Sequence, residues 1–232
     1  MGCCLSDKSE LVSKSEAAMV HEEDLGYDRL NLEGLVEGLK AGTHYSVISW
    51  VRLQELYARF NLPIDQIRKP ETALGRFYNS FLKDKDSYDT LKLIMLAVLL
   101  CQGNTPIKAE IVFSHFDMND NQTLSKQELS DILTIMLELA CIQLPEYILN
   151  RSQETKSPHI DTIKKYQHRL EETKEEALDL LLGEMKTEQL SQAEFLSALQ
   201  NTSLRAICSA RSLRQFTAAP HYYRAGEKGS SS

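Results

Sequence analysis

The sequence predicts an all-α protein, and two patterns support that class. Apolar residues recur at helical spacing in segments that polar breaks separate, and no segment alternates at period two for long enough to form a sheet. The most apolar run, 93–101, is about half of the roughly 20 residues that span a bilayer, so we predict a buried helix there. With 232 residues, of which 42% are hydrophobic, the chain can bury a core as one domain or as two packed lobes.

The predicted elements repeat an order of helix, polar break and helix. Pro63 closes the first helix and Pro106 opens the fourth, because proline fits the first turn of a helix but ends a helix further along. The predicted helical segments, in chain order, are 46–60, 71–82, an apolar helix that ends at 103, a helix from 106 through 116, one with an apolar face over 129–136, a long helix over 160–181, and a short helix around 195–199.

The charge and the cysteine content exclude several classes of protein. A formal net charge of −7 argues against nucleic acid as the main ligand, because binding to phosphates needs clustered Lys and Arg. Cys101, Cys141 and Cys208 lie too far apart for a disulfide framework or a zinc cluster, which fits a reducing cytosol. The sequence has no glycine-rich phosphate loop and no histidine beside a nucleophilic Cys or Ser, so we do not expect an enzyme.

The first six residues match the acceptor pattern for N-myristoylation. After removal of Met1, Gly2 is the acceptor, and Cys3 and Cys4 lie where palmitoylation usually accompanies myristate. One myristoyl chain binds membranes only marginally and no basic patch lies nearby, so the cysteines supply the second signal. The alternative is that a short, loose pattern matches by chance. We predict a flexible lipidated tether over 1–28, at the cytoplasmic face of the plasma membrane, and no transmembrane segment.

Oxygen-bearing side chains fall at a regular spacing in the polar break 117–128. Calcium takes about six to eight oxygen ligands, and one short loop can supply them from its first, third, fifth, seventh, ninth and twelfth positions, the seventh through a backbone carbonyl. The corresponding residues are Asp117, Asn119, Asn121, Thr123, Ser125 and Glu128. The spacing therefore predicts one calcium site.

This loop resembles the calcium loop of the EF-hand family. Leu124 stands at the apolar eighth position, which in that family forms a short bridge to the loop of the partner hand, and Phe116 precedes the loop as in the family. Gln122 takes the sixth position, where the family normally has Gly, and Asp117 and Glu128 are the only charged ligands. Both departures predict weak affinity. The alternative is a loop that keeps the EF-hand shape without metal.

Three further loops are degenerate by comparison. The segment 183–194 repeats the apolar, Ser and Glu positions of 117–128, but Gly, Met and Thr stand at its first three ligand positions, so we expect it to pair structurally and to bind nothing. The segment 88–103 is similar to the exit of a second hand in neuronal calcium sensors, with Lys92 in place of the bidentate Glu. An earliest hand, around 61–70, follows only from the arrangement of the others.

The resemblance covers about 46–200 and implies the family of myristoylated calcium sensors and calcineurin B-like regulatory subunits. It implies four helix-loop-helix units in two lobes, with one pair over 29–103 and the other over 104–202. The family also implies a hydrophobic groove that takes an amphipathic helix of a target protein. Residues 203–232 form a basic tail, which is either disordered in solvent or an amphipathic helix that fills the groove, touches anionic lipid or extends the interface.

Three hypotheses about function follow from these patterns. The first is a membrane-anchored EF-hand regulator that docks a target helix and responds to calcium through one weak site. The second is a calcium-independent, lipid-tethered adaptor in which all four hands are structural. A third and less favoured hypothesis is a small regulatory subunit of a catalytic partner.

Overall fold

The computed structural model describes residue 16 and residues 19–117, 120–185 and 187–220. This part of the chain is mostly helical, as predicted, and also contains short strands in two antiparallel sheets. The α-helices are α1 (Leu32–Gly42), α2 (Trp50–Arg59), α3 (Ala73–Asn79), α4 (Thr90–Leu100), α5 (Thr105–Phe116), α6 (Lys126–Glu138), α7 (Leu144–Glu154), α8 (Ile160–Gly183), α9 (Gln192–Asn201) and α10 (Ala210–Ala218). The strands are β1 (Thr43–His44), β2 (Val47–Ser49), β3 (Leu82–Asp84), β4 (Ser87–Asp89), β5 (Thr123–Ser125) and β6 (Gln189–Ser191). A π-helical segment covers Leu139–Gln143, and 3₁₀ segments cover Val20–Leu25, Tyr27–Arg29 and Ser203–Cys208.

The N-terminal half is built around a four-stranded sheet in the order β1-β2-β4-β3. Ile48 of β2 lies opposite Tyr88 of β4, and both side chains are buried, so core packing fixes the register. The prediction that the chain contains no sheet is wrong in this detail. Strands of two or three residues are too short for an alternating pattern to show in the sequence.

The C-terminal half contains a two-stranded sheet that joins two distant loops. β5 pairs with β6, and Leu124 lies opposite Leu190 with both side chains buried. The bridge that the sequence predicted at Leu124 is therefore present. It brings the candidate calcium loop beside the segment 183–194.

One continuous helix links the two halves of the protein. It covers Lys126–Glu154 and includes α6, the π-helical segment and α7. α6 leaves the candidate loop, the π-helical segment packs against α10, and α7 packs against α3. Within the described residues this is the one helix long and apolar enough to cross a membrane, but 67% of its most apolar stretch is buried in the protein. The apolar run 93–101 lies almost entirely in α4, which is buried as predicted.

The chain before residue 29 is packed onto the protein wherever the structure describes it. Leu25 and Tyr27 are buried, and the Tyr27 hydroxyl lies 2.7 Å from the hydroxyl of Tyr57 and 3.1 Å from that of Tyr78. A buried aromatic side chain with a hydrogen-bonded hydroxyl stabilises a segment that its polar neighbours alone would leave in solvent. The predicted tether boundary at residue 28 is therefore wrong, and the packed chain includes residues 19–28.

The described part of the basic tail is helical and buried on one face. Leu213 and Phe216 of α10 are buried, and α10 packs against α8 and the π-helical segment. The amphipathic helix is thus confirmed for this part of the tail, and a disordered tail is wrong for residues 203–220. Residues 221–232 lie outside the described chain.

The earliest helix–strand–helix segment lies elsewhere than predicted. Residues 61–70 contain turns and no strand, and they connect α2 to α3. The strand-bearing loop lies instead between α1 and α2, at 43–49. That loop has no Asp or Glu, so a search for ligand spacing cannot find it.

Candidate metal centre

Four loops of the described chain end in the same local arrangement, in which a strand leads directly into a helix. Each time, the side chain at the N-cap accepts a hydrogen bond from the backbone N–H three residues later, which begins the helix. These pairs, with the distance from the side-chain oxygen to the nitrogen, are Ser49 with Arg52 (3.4 Å), Asp89 with Lys92 (3.2 Å), Ser125 with Glu128 (3.2 Å) and Ser191 with Glu194 (3.4 Å). The residue before each N-cap is apolar or aromatic and pairs across a sheet. The structure therefore repeats one local unit four times.

The third residue after the N-cap sets the charge of each loop. In the N-terminal pair this residue is basic, Arg52 or Lys92, whereas in the C-terminal pair it is Glu128 or Glu194. A cation at this position repels a divalent cation, while a carboxylate there can bind one. Lys92 was found from the sequence and Arg52 was missed. The sequence pattern that would have found Arg52 is an apolar residue, followed directly by a capping residue, with a charged residue three positions after the cap.

Asp117 organises the first part of the candidate loop. It directly follows α5, and its two carboxylate oxygens accept hydrogen bonds from backbone N–H groups, Oδ1 from Asn121 at 3.0 Å and Oδ2 from Gln122 at 2.9 Å. The loop is thus folded around this carboxylate. Each carboxylate oxygen has a further lone pair, so Asp117 can accept these bonds and still bind a cation.

Asn121 and Thr123 form the middle of the loop. The Asn121 amide oxygen accepts hydrogen bonds from the Thr123 backbone N–H at 2.8 Å and from the Thr123 hydroxyl at 2.7 Å. These bonds hold the amide oxygen inside the turn.

Ser125 and Glu128 close the loop as a capping box at the start of α6. Glu128 Oε2 accepts hydrogen bonds from the backbone N–H and the hydroxyl of Ser125, each at 2.8 Å. A carboxylate in this place is stabilised by the exposed N–H groups of the first helical turn. A calcium ion at this position would therefore have to share or replace these two bonds.

Among the described residues of the loop, 117 and 120–128, the backbone adopts the left-handed conformation at two non-glycine residues. Asp120 has a φ of 54° and Gln122 a φ of 62°. This conformation costs an L-residue on the order of 1 kcal/mol. The expectation that Gln122 lies at positive φ is confirmed. Ser46, which stands as far before Arg52 as Gln122 stands before Glu128, has a φ of 63°, so the first loop shares this turn.

The candidate ligands fit calcium by their chemistry. The described ones offer carboxylate, amide, hydroxyl and backbone carbonyl oxygens, with no sulfur or imidazole among them. Asn119 lies outside the described residues, as do Gly2, Cys3 and Cys4. Across the described chain, no group of three or more His, Cys, Asp and Glu side chains is arranged to hold a metal ion. Calcium would therefore depend on neutral oxygens as well as two carboxylates, which predicts weak binding.

The adjacent segment 183–194 has a different front half. Gly183 is the last residue of α8, Met185 is buried, and the Thr187 hydroxyl donates to the backbone oxygen of Gln189 at 2.6 Å. Its end repeats the capping box, and hydrogen bonds from the hydroxyl and N–H of Ser191 hold the pKa of Glu194 below its usual value.

A cleft of about 650 Å³ lies beside the candidate loop, between the two halves of the protein. Its walls come from α1, β1 and α4 on one side and from α5 and α6 on the other, with Ile94, Phe116 and Ile135 among the apolar residues. Glu128 belongs to this wall as well as to the loop. His115 also lines the cleft; its Nδ1 donates to the backbone oxygen of Ile111 at 2.6 Å, and burial lowers its pKa, as expected for a packed histidine.

No protein-family model matches this sequence, and no curated protein matches it.

Proposed function

We propose that this protein is a membrane-anchored EF-hand regulator, which binds one calcium ion weakly through the loop 117–128 and docks a helix of a target protein. The observation that carries the proposal is the pairing of β5 with β6, in which Leu124 lies opposite Leu190. This pairing sets two loops that end in a capping Ser and a Glu side by side. Such a pair of loops is what the EF-hand resemblance implies.

The preorganised carboxylate of Asp117 supports calcium as the ligand. Its two hydrogen bonds already fold the backbone of the loop around the first ligand position. At the end of the loop, calcium would have to displace the hydrogen bonds of the Glu128 side chain. Magnesium binds less well to such a loop, because it demands a smaller and more regular octahedron of ligands.

The position of Glu128 supports a link between calcium and a target. Because its side chain lines both the loop and the cleft, turning it toward a cation changes the wall of the cleft. An amphipathic helix would place its apolar face against Ile94, Phe116 and Ile135.

The anchoring part of the proposal depends on Gly2, Cys3 and Cys4. An extended chain over 2–16 reaches at most about 50 Å, so acyl chains at these residues would keep the body close to the bilayer. Two acyl signals would give stable residence where one gives only reversible binding.

Calorimetric titration with calcium tests the binding proposal. It uses the non-acylated full chain and a Glu128→Gln variant, both with millimolar magnesium present. The proposal expects one site in the parent chain and none in the variant. Absence of calcium binding by the parent chain would overturn it.

Metabolic labelling with an alkyne analogue of myristate tests the anchoring proposal. The parent chain should incorporate the label and sediment with membranes, and Gly2→Ala should lose both properties. A variant with Ser at Cys3 and Cys4 should keep the label but release from membranes more readily. An unlabelled parent chain would refute lipidation at Gly2.

A calcium-independent adaptor is the second candidate function, and one feature favours it. Glu128 already has hydrogen-bonding partners in its capping box, so the loop is complete without a cation. In that case calcium would change neither the shape of the cleft nor the binding of a target protein. The acyl chains would then only place the adaptor and its partner at the membrane.

A further inference from the structure

A charged cluster is buried where the start of the described chain meets its last helix. Its centre is Arg214 of α10, whose side chain is 1% exposed. Glu16 is 2% exposed and Glu22 is 20% exposed, so the cluster has one deep carboxylate and one at the rim.

The hydrogen bonds of the cluster are bidentate on both sides of the guanidinium. Glu16 accepts from Nε of Arg214 at 2.8 Å and from Nη2 at 3.1 Å. Glu22 accepts from Nη1 at 2.9 Å and from Nη2 at 3.2 Å. Tyr166 of α8 adds a hydrogen bond from its hydroxyl to Glu16 at 2.8 Å. The three charged side chains therefore fix one another in a single geometry.

The chain that follows Glu16 runs across both halves of the protein as a strap, which we define as Glu16 and residues 19–29. Asp24 accepts a hydrogen bond from Arg151 of α7 at 3.0 Å. Tyr27 then reaches the N-terminal half through its hydroxyl contact with Tyr57. The cluster at Arg214 is the fastening of this strap on the C-terminal half.

The burial of the cluster makes its three charged side chains depend on one another. Buried ion pairs are often no more stabilising than apolar residues of the same size, but removal of one partner leaves an uncompensated charge. Burial opposes the charge of Arg214, yet Glu22 and Glu16 outweigh it and hold the pKa of the guanidinium well above its usual value. A cavity of about 460 Å³ adjoins all three side chains, so they enter water directly when they separate.

We propose that the Glu16–Arg214–Glu22 cluster is a clasp that holds the strap and α10 in place together, so that opening the clasp releases both. Release of α10 uncovers the surface of α8 and the π-helical segment against which it packs. The clasp thus keeps the surface beneath α10 covered until the strap is displaced. It depends on no metal and on no acyl chain.

Amide hydrogen exchange of the full-length chain tests this proposal. The test variant is Arg214→Met, which keeps an unbranched apolar side chain in place of the arginine stem and removes the charged guanidinium. The matched control is Arg211→Gln, which removes an exposed arginine from the same helix. In the test variant we expect exchange in 210–218 and in 19–29 to become at least tenfold faster, with α4 unchanged and with increased fluorescence of a dye that binds apolar surfaces. The control should show neither effect.

A milder variant keeps the proposal testable if Arg214→Met fails to fold. Glu22→Gln changes only the carboxylate at the rim of the cluster. It should accelerate exchange by about threefold, to a similar extent in both segments and less than Arg214→Met does. Faster exchange in 210–218 alone, or in 19–29 alone, would overturn the proposal, because a clasp couples the two. Unchanged exchange in both segments would also overturn it.

Discussion

Substitution of Glu128 by Gln separates the capping role that the structure shows for this residue from the calcium-binding role that we propose for it. In the capping box, Glu128 Oε2 accepts two hydrogen bonds from Ser125, and an amide oxygen can accept the same two bonds. Without calcium we therefore expect Glu128→Gln to lower the free energy of unfolding by less than about 1 kcal/mol, the value of a charge at a helix N-terminus. With calcium at a hundred times its dissociation constant, the parent chain gains about 2.7 kcal/mol and the variant gains nothing.

Thermal unfolding with and without calcium measures this difference. For a chain of this size, about 2.7 kcal/mol corresponds to a rise in Tm of roughly 5–10 °C. The matched control is Glu194→Gln, because Glu194 closes the same capping box in the neighbouring loop. The control should keep the full calcium-induced rise. The reasoning fails if Glu194→Gln loses that rise, or if Glu128→Gln unfolds the protein without calcium.

Three further predictions concern the fold and the loop. Gly75→Ala should destabilise the protein by several kcal/mol, because an added Cβ would lie 1.9 Å from the backbone oxygen of Lys69. Gly183→Ala should instead stabilise its helix by up to about 1 kcal/mol, because the added Cβ would meet no atom within 4 Å. Urea denaturation measures both effects. Burial raises the pKa of Tyr57 to about 12, so the stability that this neutral phenol contributes is complete below about pH 10 and should fall by about 3 kcal/mol as the pH rises to about 12. Because burial also raises the pKa of Tyr27 and of Tyr78, this loss is measured as the fall in the urea midpoint of the parent chain relative to that of Tyr57→Phe. Gln122→Gly should raise the free energy of unfolding by up to about 1 kcal/mol and change calcium affinity little, because the left-handed conformation is already present; denaturation and calorimetry measure the two effects.

Each of these predictions has a result that contradicts it. Equal stabilities of Gly75→Ala and Gly183→Ala would mean that the close approach at Gly75 is absent. An equal fall of the midpoints of the parent chain and of Tyr57→Phe above pH 10 would mean that burial does not raise the pKa of Tyr57. A loss of stability in Gln122→Gly would mean that this residue does not hold a positive φ.

The parts of the site that the sequence predicts are those with a local signal. Asp117 and Glu128 are recognisable because the ligands of one cation must recur at fixed spacing within a short loop. Leu124 is recognisable through the EF-hand resemblance, which has an apolar residue at this position and implies a bridge to a partner loop, and Leu190 lies opposite it in the structure. The ligand spacing depends only on neighbouring residues, whereas the pairing of Leu124 joins two loops that are distant in the sequence.

The parts that the sequence does not predict depend on distant contacts. Glu16 and Arg214 lie at opposite ends of the chain, and neither neighbourhood shows that the other is near. Tyr27 lies in a polar segment, and it is buried because the folded chain brings it against Tyr57. The loop with Arg52 cannot be found from the spacing of ligands. It has the same strand-to-helix arrangement as the other three loops but contains no Asp or Glu.

Nuclear magnetic resonance with calcium titration into the non-acylated full chain tests the central claim most directly. The amides of Asn121 and Gln122 donate to the Asp117 carboxylate, so a cation on that carboxylate changes their environment. The account predicts large, saturable shifts of these two amides, with smaller shifts at Leu190 across the sheet. If these amides do not move while calcium is added in excess, the loop does not bind calcium and the proposed regulator is wrong.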